Sequence, residues 1–277
     1  MSESGSAAER ITAPKSSGRW ARVWRVFKDH HFSPYKVYVN RPQRTVVVLN
    51  PKVGTQSFRF ALNRGLLEFR GLADVSEGRY RAFKKAREFP FARLRDYVHA
   101  FRFAEEYSFL GFVRNPYRRL RSAWLDKLAF GHRDGYPRST RRRVLGPLRR
   151  FAREHHLAGG EAGAAIPFAT FVAYVESEPT GRRDHHWDEQ YSVLLMNHVR
   201  FAQVFQLETN YHEGLTRIFL QLGFTPEQVA QLVATQRNTS PPPVEPVFDE
   251  MLAARVRRVY ARDFETFGYD PDSWRGL

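Results

Sequence analysis

Two short stretches of this chain are apolar at successive positions, and each gives way to a polar turn and then to helical spacing. The first is Val46-Val47-Val48-Leu49; after Asn50 to Ser57, apolar positions resume at Phe58, Ala61, Leu62, Leu66 and Leu67. A continuous β-branched run suits a strand buried on both faces, and three-four spacing suits a helix with one face on a core. The pattern predicts a strand over 45–50, a turn, and a helix. The second stretch is Phe109-Leu110-Gly111-Phe112-Val113, ending at Arg114 and Asn115. A helix is expected to follow from Pro116 or Tyr117, with Leu120, Trp124, Leu125 and Leu128 on its apolar face. Proline fits a first helical turn, where its missing N–H has no partner to lose.

With a further strand expected over 199–207, the alternation of strands and helices predicts an α/β fold. It is a P-loop-like, three-layer α/β/α arrangement with a short parallel sheet over 45–50, 107–113 and 199–207, binding ligand at the carboxyl ends of its strands. No Pro/Gly/Ser-rich linker divides the chain, so one domain over 19–277 is expected. Residues 1–18 read as a disordered polar tail, and 157–165, rich in Gly and Ala, as a flexible surface loop.

The turns carry the chemistry. Pro51-Lys52-Val53-Gly54-Thr55-Gln56-Ser57 opens a helix, whose first N–H groups lack intrahelical partners and, with the helix dipole, favour an anion. Gly54 lets backbone approach a ligand, and Lys52 adds a full charge. The order is not that of a Walker A loop, because the Lys precedes the Gly. At the second turn, Arg114 ends a strand and Ser122 lies eight positions on, with Arg118 on the same helix face as Ser122. Arg114, Arg118 and Ser122 are candidates to converge on one phosphate, for which a guanidinium fork is well suited.

Together these segments resemble the 3′-phosphoadenosine 5′-phosphosulfate (PAPS)-dependent sulfotransferases, in particular the carbohydrate branch found in the Golgi. Residues 51–57 are similar to that family's Pro-Lys loop for the 5′-phosphosulfate, and Val113 through Trp124 to its Val-Arg-x-Pro-[Phe/Tyr]-x-Arg-Leu-x-Ser element for the 3′-phosphate, followed by Asp126-Lys127. His186-Trp187-Asp188-Glu189-Gln190 resembles a His-Trp-x-Pro-Gln element, with Glu189 in place of Pro. Residues 201–209, ending Leu207-Glu208-Thr209, resemble a strand leading into a helix, and 259–269 a closing Tyr-x-x-Asp-Phe-x-x-Phe-Gly-Tyr. The resemblance spans about 44–270 and implies a sulfotransferase fold, PAPS as co-substrate, and a hydroxyl acceptor on a carbohydrate or glycolipid.

Sulfuryl transfer needs in-line positioning, a cation for the leaving oxygen and a base for the acceptor proton. Lys52 is the candidate cation. For the base, His186 matches the family's His-Trp element; its other reading is a ring that packs beside Trp187 and orients the loop or the acceptor. His99, 15 residues before Arg114, is loosely similar to a His of some uronosyl 2-O-sulfotransferases, and Glu68 stands third, with a solvent-facing role as its alternative. Glu208 reads as a helix-N-terminal charge, and Trp124, Trp187 and Phe58 as core residues that are also placed to stack on adenine. No metal is expected: the doublets His30-His31, His155-His156 and His185-His186 point their neighbours apart.

Composition adds the environment. Among 277 residues there is no Cys, which excludes a disulfide framework or thiolate metal site and fits a reducing, cytoplasmic setting. The absence of an export signal or spanning segment leads to the expectation of a soluble, bacterial version of the family. A net charge of +15 attracts anions such as PAPS, and 37 of the 44 cations are Arg. The Arg133 to Arg153 stretch reads either as a solvated face or as a site for an anionic acceptor. Trp20, Val23, Trp24 and Phe27 form a helical stripe among basic residues over 19–30, read as packing on the domain or as lying on an anionic membrane. A phosphate-loop kinase and a basic anion- or nucleic-acid-binding module are the competing classes. The first lacks a Ser/Thr directly after Lys52, and the second lacks recognisable readout motifs.

Overall fold

The computed structural model of the protein describes residues 18–33, 36–69, 94–129, 141–234 and 248–277. Its centre is a four-stranded sheet, β1 (Val37–Asn40), β2 (Thr45–Val48), β3 (Ser108–Val113) and β4 (Gln203–Gln206), in that spatial order. The pairs β2–β3 and β3–β4 are parallel, as expected, with Val46 opposite Phe109 and Leu110 opposite Gln203. β1 is an antiparallel addition at the edge. Its apolar run, Val37 to Val39, is too brief to show a period. β4 is shorter than the expected 199–207, although Ala202 and Leu207 still donate their N–H groups to Phe109 and Val113 beyond its ends.

The helices are α1 (Arg19–Lys28), α2 (Thr55–Phe69), α3 (Leu94–Arg102), α4 (Pro116–Trp124), α5 (Gly146–Glu154), α6 (Phe168–Ser177), α7 (Gln190–Val193), α8 (Tyr211–Gln221), α9 (Pro226–Val233), α10 (Glu250–Val259) and α11 (Ala261–Phe267). Strand alternation distributes them. Val46, Val48, Phe109 and Val113 face a core that includes Val26 of α1, Phe101 of α3, Leu120 of α4 and Phe171 of α6. Val47, Leu49, Leu110, Phe112 and Phe205 face Phe58 and Leu62 of α2, Phe219 of α8 and Leu232 of α9. Both sheet faces are therefore covered, which is the three-layer arrangement and the reason β2 and β3 read as unbroken apolar runs. Among the described residues no helix is long and apolar enough to cross a membrane.

Two peripheral expectations change. In α1 the buried residues are Val23 and Val26, while Trp20 and Trp24 are exposed, so the aromatic stripe does not pack on the domain as a unit. Of the Arg-rich stretch, 133–140 lies outside the described residues, but Arg149 and Arg153 donate to the carbonyls of Ala164 and Gly160 at 3.2 and 2.8 Å. They clasp the Gly/Ala loop.

Candidate active site

Two residues past the end of β2 lies Asn50, a buried side chain whose Nδ2 donates to Phe112 C=O and to Gln190 Oε1, at 3.2 and 2.9 Å. The chain then turns through Lys52 and Gly54, with φ of 70° and 76°. A left-handed Lys stores about 1–3 kcal/mol of backbone strain, which the surrounding bonds must hold in place. Gly54 is required on two counts: its φ, and a Cβ there would sit 2.9 Å from the Tyr211 hydroxyl, which donates to Gly54 C=O at 3.2 Å. Thr55 Oγ1 donates back to Asn50 C=O and closes the loop. The first helical bond of α2 runs from Phe58 N–H to Gly54 C=O, so the amides of 55–57 open the helix in the manner of an anion site.

Beside the loop, Arg114 Nη1 donates to Lys52 C=O at 3.2 Å, and its Nε lies 3.8 Å from Glu208 Oε1, buried and without a hydrogen bond. Asn115 caps α4 by accepting from the N–H groups of Tyr117 and Arg118 at 3.1 and 3.3 Å. Arg118 is exposed and near enough to Arg114 for their charges to interact, and half-buried Ser122 lies one turn further along. Arg114 and Arg118 thus share one corner at the carboxyl edge of the sheet. Glu208 is not a helix-N-terminal charge: it precedes the Asn210 cap of α8, and accepts from Asn115 N–H at 3.1 Å and the Tyr269 hydroxyl at 3.2 Å.

Arg119, to which the sequence reading gave no role, is the buried brace of this edge. Its Nε donates to Pro51 C=O at 3.2 Å, Nη1 to Asp188 C=O at 2.7 Å and Nη2 to His185 C=O at 2.9 Å. The signal was present: Arg119, not Arg118, fills the Arg-Leu position of the second motif. The closing motif serves the same brace. Asp263 accepts from the N–H groups of Gln190 and Tyr191 at 2.9 and 3.0 Å, and the Tyr260 hydroxyl donates to Trp187 C=O.

This scaffold brings His186 and Lys52 into one neighbourhood. His186 Nδ1 lies 2.6 Å from Asp184 Oδ1, which also accepts the His186 N–H at 2.9 Å. A carboxylate only accepts, so Nδ1 carries the proton and Nε2 of the neutral ring keeps its lone pair. Burial lowers the His186 pKa, Asp184 opposes that, and the charges of Lys127 and Lys52 lower it further. Burial works against ionised Asp184, but the bonds from the His186 ring and N–H, and the positive charge either ring takes up at low pH, hold its pKa well below the carboxylate range. Lys52 Nζ lies 3.2 Å from Asp126 Oδ2, which holds Lys127 Nζ at the same distance, and burial lowers the Lys52 pKa. Neighbouring His185 is pushed by burial down to about 3, and Lys36 to about 8. Asp184, His185 and His186 have ligand atoms within 4.8 Å of one another. The 185–186 doublet therefore converges with Asp184 instead of pointing its rings apart as expected, and the charges of Lys36 on His185 and of Lys52 and Lys127 on His186 lower the pKa of those rings.

Other candidates lie elsewhere. His99 binds the Tyr107 hydroxyl at 2.9 Å, at the start of β3. Six strand residues, roughly 20 Å, separate that end from Arg114, so His99 is not brought to the loop. Glu68 pairs with Arg64 at 2.8 Å in the last turn of α2. Phe58 stacks on Phe219 at 5.6 Å, Trp187 is buried with Nε1 on Glu178, and Trp124 Nε1 donates to Ile166 C=O, so all three are engaged in packing.

No curated protein and no solved structure matches the chain. A family comparison does: residues 36–270 match the sulfotransferase family. The matched span contains the sheet, the 51–57 loop, α4 with its Arg114 corner and the His186 segment, and the chain belongs to the sulfotransferase family.

Proposed function

We propose that this sulfotransferase moves a sulfuryl group from PAPS to a hydroxyl of a carbohydrate or glycolipid and releases adenosine 3′,5′-bisphosphate. The observation that carries the reading is the contact between two motif segments, Arg114 Nη1 to Lys52 C=O at 3.2 Å. It makes the loop and the Arg114 corner two lobes of one cationic site, as a ligand with separate 5′ and 3′ phosphates requires.

In this scheme the amides opening α2, with Thr55, Gln56 and Ser57, take the 5′-phosphosulfate, while Arg114, Arg118 and Ser122 take the 3′-phosphate. The acceptor O–H gives its proton to His186 Nε2 as its oxygen attacks sulfur. The bond from sulfur to the 5′-phosphate oxygen breaks, and the charge left on that oxygen is met by Lys52, which exchanges Asp126 for the phosphate. Lys36 beside His185 and Lys127 beside His186 would give the acceptor side a positive field that favours an anionic acceptor.

The test is direct. Adenosine 3′,5′-bisphosphate should raise the melting temperature, and labelled PAPS incubated with carbohydrate and glycolipid extracts should yield a sulfated product by mass spectrometry. No thermal shift at millimolar ligand overturns the donor assignment; a shift with transfer only to other acceptor classes overturns the acceptor.

A further inference from the structure

α1 lies outside the residues that match the family, which begin at 36. Its inner face is accounted for, since Val23 and Val26 are buried in the core shared with α3. Its outer face is not explained by folding. Trp20 and Trp24, one turn apart, are 58% and 63% exposed. Indoles are among the side chains a soluble surface most rarely leaves in water, and two on adjacent turns make a patch rather than a scattered residue.

The helix itself carries charge of one sign, and Glu105, paired with Arg22, is the acidic neighbour beside it. The helix contains Arg19, Arg22, Arg25 and Lys28 and no acidic residue. Lys28 Nζ lies 4.2 Å from the centre of the Trp24 ring, and Arg102 of α3 has its Cζ 4.4 Å from that of Trp20. Arg22 turns inward onto Glu105, while Arg19, Arg25 and Lys28 remain exposed. Indoles flanked by long basic side chains have the composition of an interfacial anchor. The rings sit at the boundary of headgroup and acyl chain, and the cations reach anionic headgroups.

We propose that the outer face of α1 seats on an anionic lipid surface, with Trp20 and Trp24 in the interface and Arg25, Lys28 and Arg102 against the headgroups. At about 15 Å long the helix is too short to span and lies in the plane of the surface. A soluble polyanion is less suited, because strands and polysaccharides track cationic grooves and this face is the convex side of a helix.

The placement reaches the site. His31 Nε2 lies 2.8 Å from Asp188 Oδ2, and His30 Nε2 lies 3.2 Å from Arg183 C=O. The residues directly after α1 are thus bolted to the segment that carries His186, and a seated α1 holds the acceptor side at the lipid. Docking is independent of the sulfuryl-transfer reading; the consequence that the acceptor is lipid-borne rests on it.

The full chain is incubated with phosphatidylcholine vesicles, with and without phosphatidylserine, and sedimented. The wild type should co-sediment only when phosphatidylserine is present, with a blue shift of tryptophan emission. A Trp20→Ala/Trp24→Ala variant should lose about tenfold or more of that binding. Its melting temperature and its shift with adenosine 3′,5′-bisphosphate should stay close to wild type, since both rings are exposed. Lys28→Glu should weaken binding with both indoles retained, through the loss of the cation beside Trp24. Unchanged binding by the double variant, binding indifferent to phosphatidylserine, or capture of single-stranded DNA instead of vesicles would each overturn the proposal.

Discussion

Gln190 and Arg114 meet as though they were paired strand residues. Gln190 Oε1 accepts the Arg114 N–H at 2.9 Å, and Nε2 donates to Arg114 C=O at 2.8 Å. The same Oε1 accepts from Asn50 Nδ2 at 2.9 Å. One buried amide therefore fastens the ends of β2 and β3 and sets the directions in which Lys52 and Arg114 leave the sheet. Gln190→Ala strands the Arg114 N–H and C=O at about 1–3 kcal/mol each, while Asn50 Nδ2 keeps its bond to Phe112 C=O. The expected outcome is a loss of about 2–5 kcal/mol in urea denaturation with weaker binding of adenosine 3′,5′-bisphosphate. A variant within about 1 kcal/mol of wild type would remove the bracing account.

The parts legible in the sequence and the parts that were not divide along a physical line. Val46 to Leu49 and Phe109 to Val113 announce themselves because strands buried on both faces have no polar positions, and their turns because Pro51, Gly54 and Pro116 punctuate them. Arg119 did not. Its role depends on which carbonyls Pro51, His185 and Asp188 leave unpaired, and those come from segments 66 to 69 residues away. The stripe in α1 leaves two readings open in the sequence for a related reason. Trp20, Val23, Trp24 and Phe27 share one arc with each other but Val23 and Val26 share another, and only the position of α3 decides which arc faces inward. Glu208 reads as a helix charge in the sequence because its backbone partner, Asn115, is 93 residues distant.

Lys52 and Asp126 give the alkaline side of the pH profile. Burial lowers the Lys52 pKa, whereas the charge and hydrogen bond of Asp126 raise it. Removing that charge with Asp126→Asn lets Lys52 lose its proton at lower pH in the free enzyme, so the alkaline limb of kcat/KM should move down. Lys52→Ala should cut turnover by about 10² to 10³ while affinity for adenosine 3′,5′-bisphosphate changes less. Turnover within tenfold of wild type, or an alkaline limb that Asp126→Asn leaves in place, contradicts the leaving-group role.

His186 and Asp184 give the acidic side. Folding lowers the His186 pKa, so its basic form persists to lower pH than an exposed histidine allows. His186→Ala should abolish the acidic limb and cost about 10² to 10⁴ in turnover, while His99→Ala, at the far end of β3, keeps the limb. Asp184 raises the His186 pKa, so Asp184→Asn should move the limb further down and slow the reaction through a weaker base. Pre-steady-state rates across pH separate these cases. A limb that survives His186→Ala assigns the base elsewhere.

Glu189, which stands where the resembled motif has Pro, predicts how stability depends on pH. It is 7% exposed, and burial together with the charges of Asp263 and Asp188 raises its pKa from 4.5 to about 7. A carboxyl whose pKa rises on folding adds stability that is complete below its unfolded value and lost as pH climbs through its folded value. Other groups confine the useful window. His185 and His186, lowered on folding, add stability with rising pH only up to about 6.5, and Lys36, lowered to about 8, does so only above that. Between those limits the wild-type melting temperature should fall as pH rises. Glu189→Gln keeps the size and polarity of the side chain but has no charge to bury, so its curve should be flatter there and lie above wild type at the alkaline end. Parallel curves for the two proteins in differential scanning calorimetry would show that Glu189 is already relieved of its buried charge by other means.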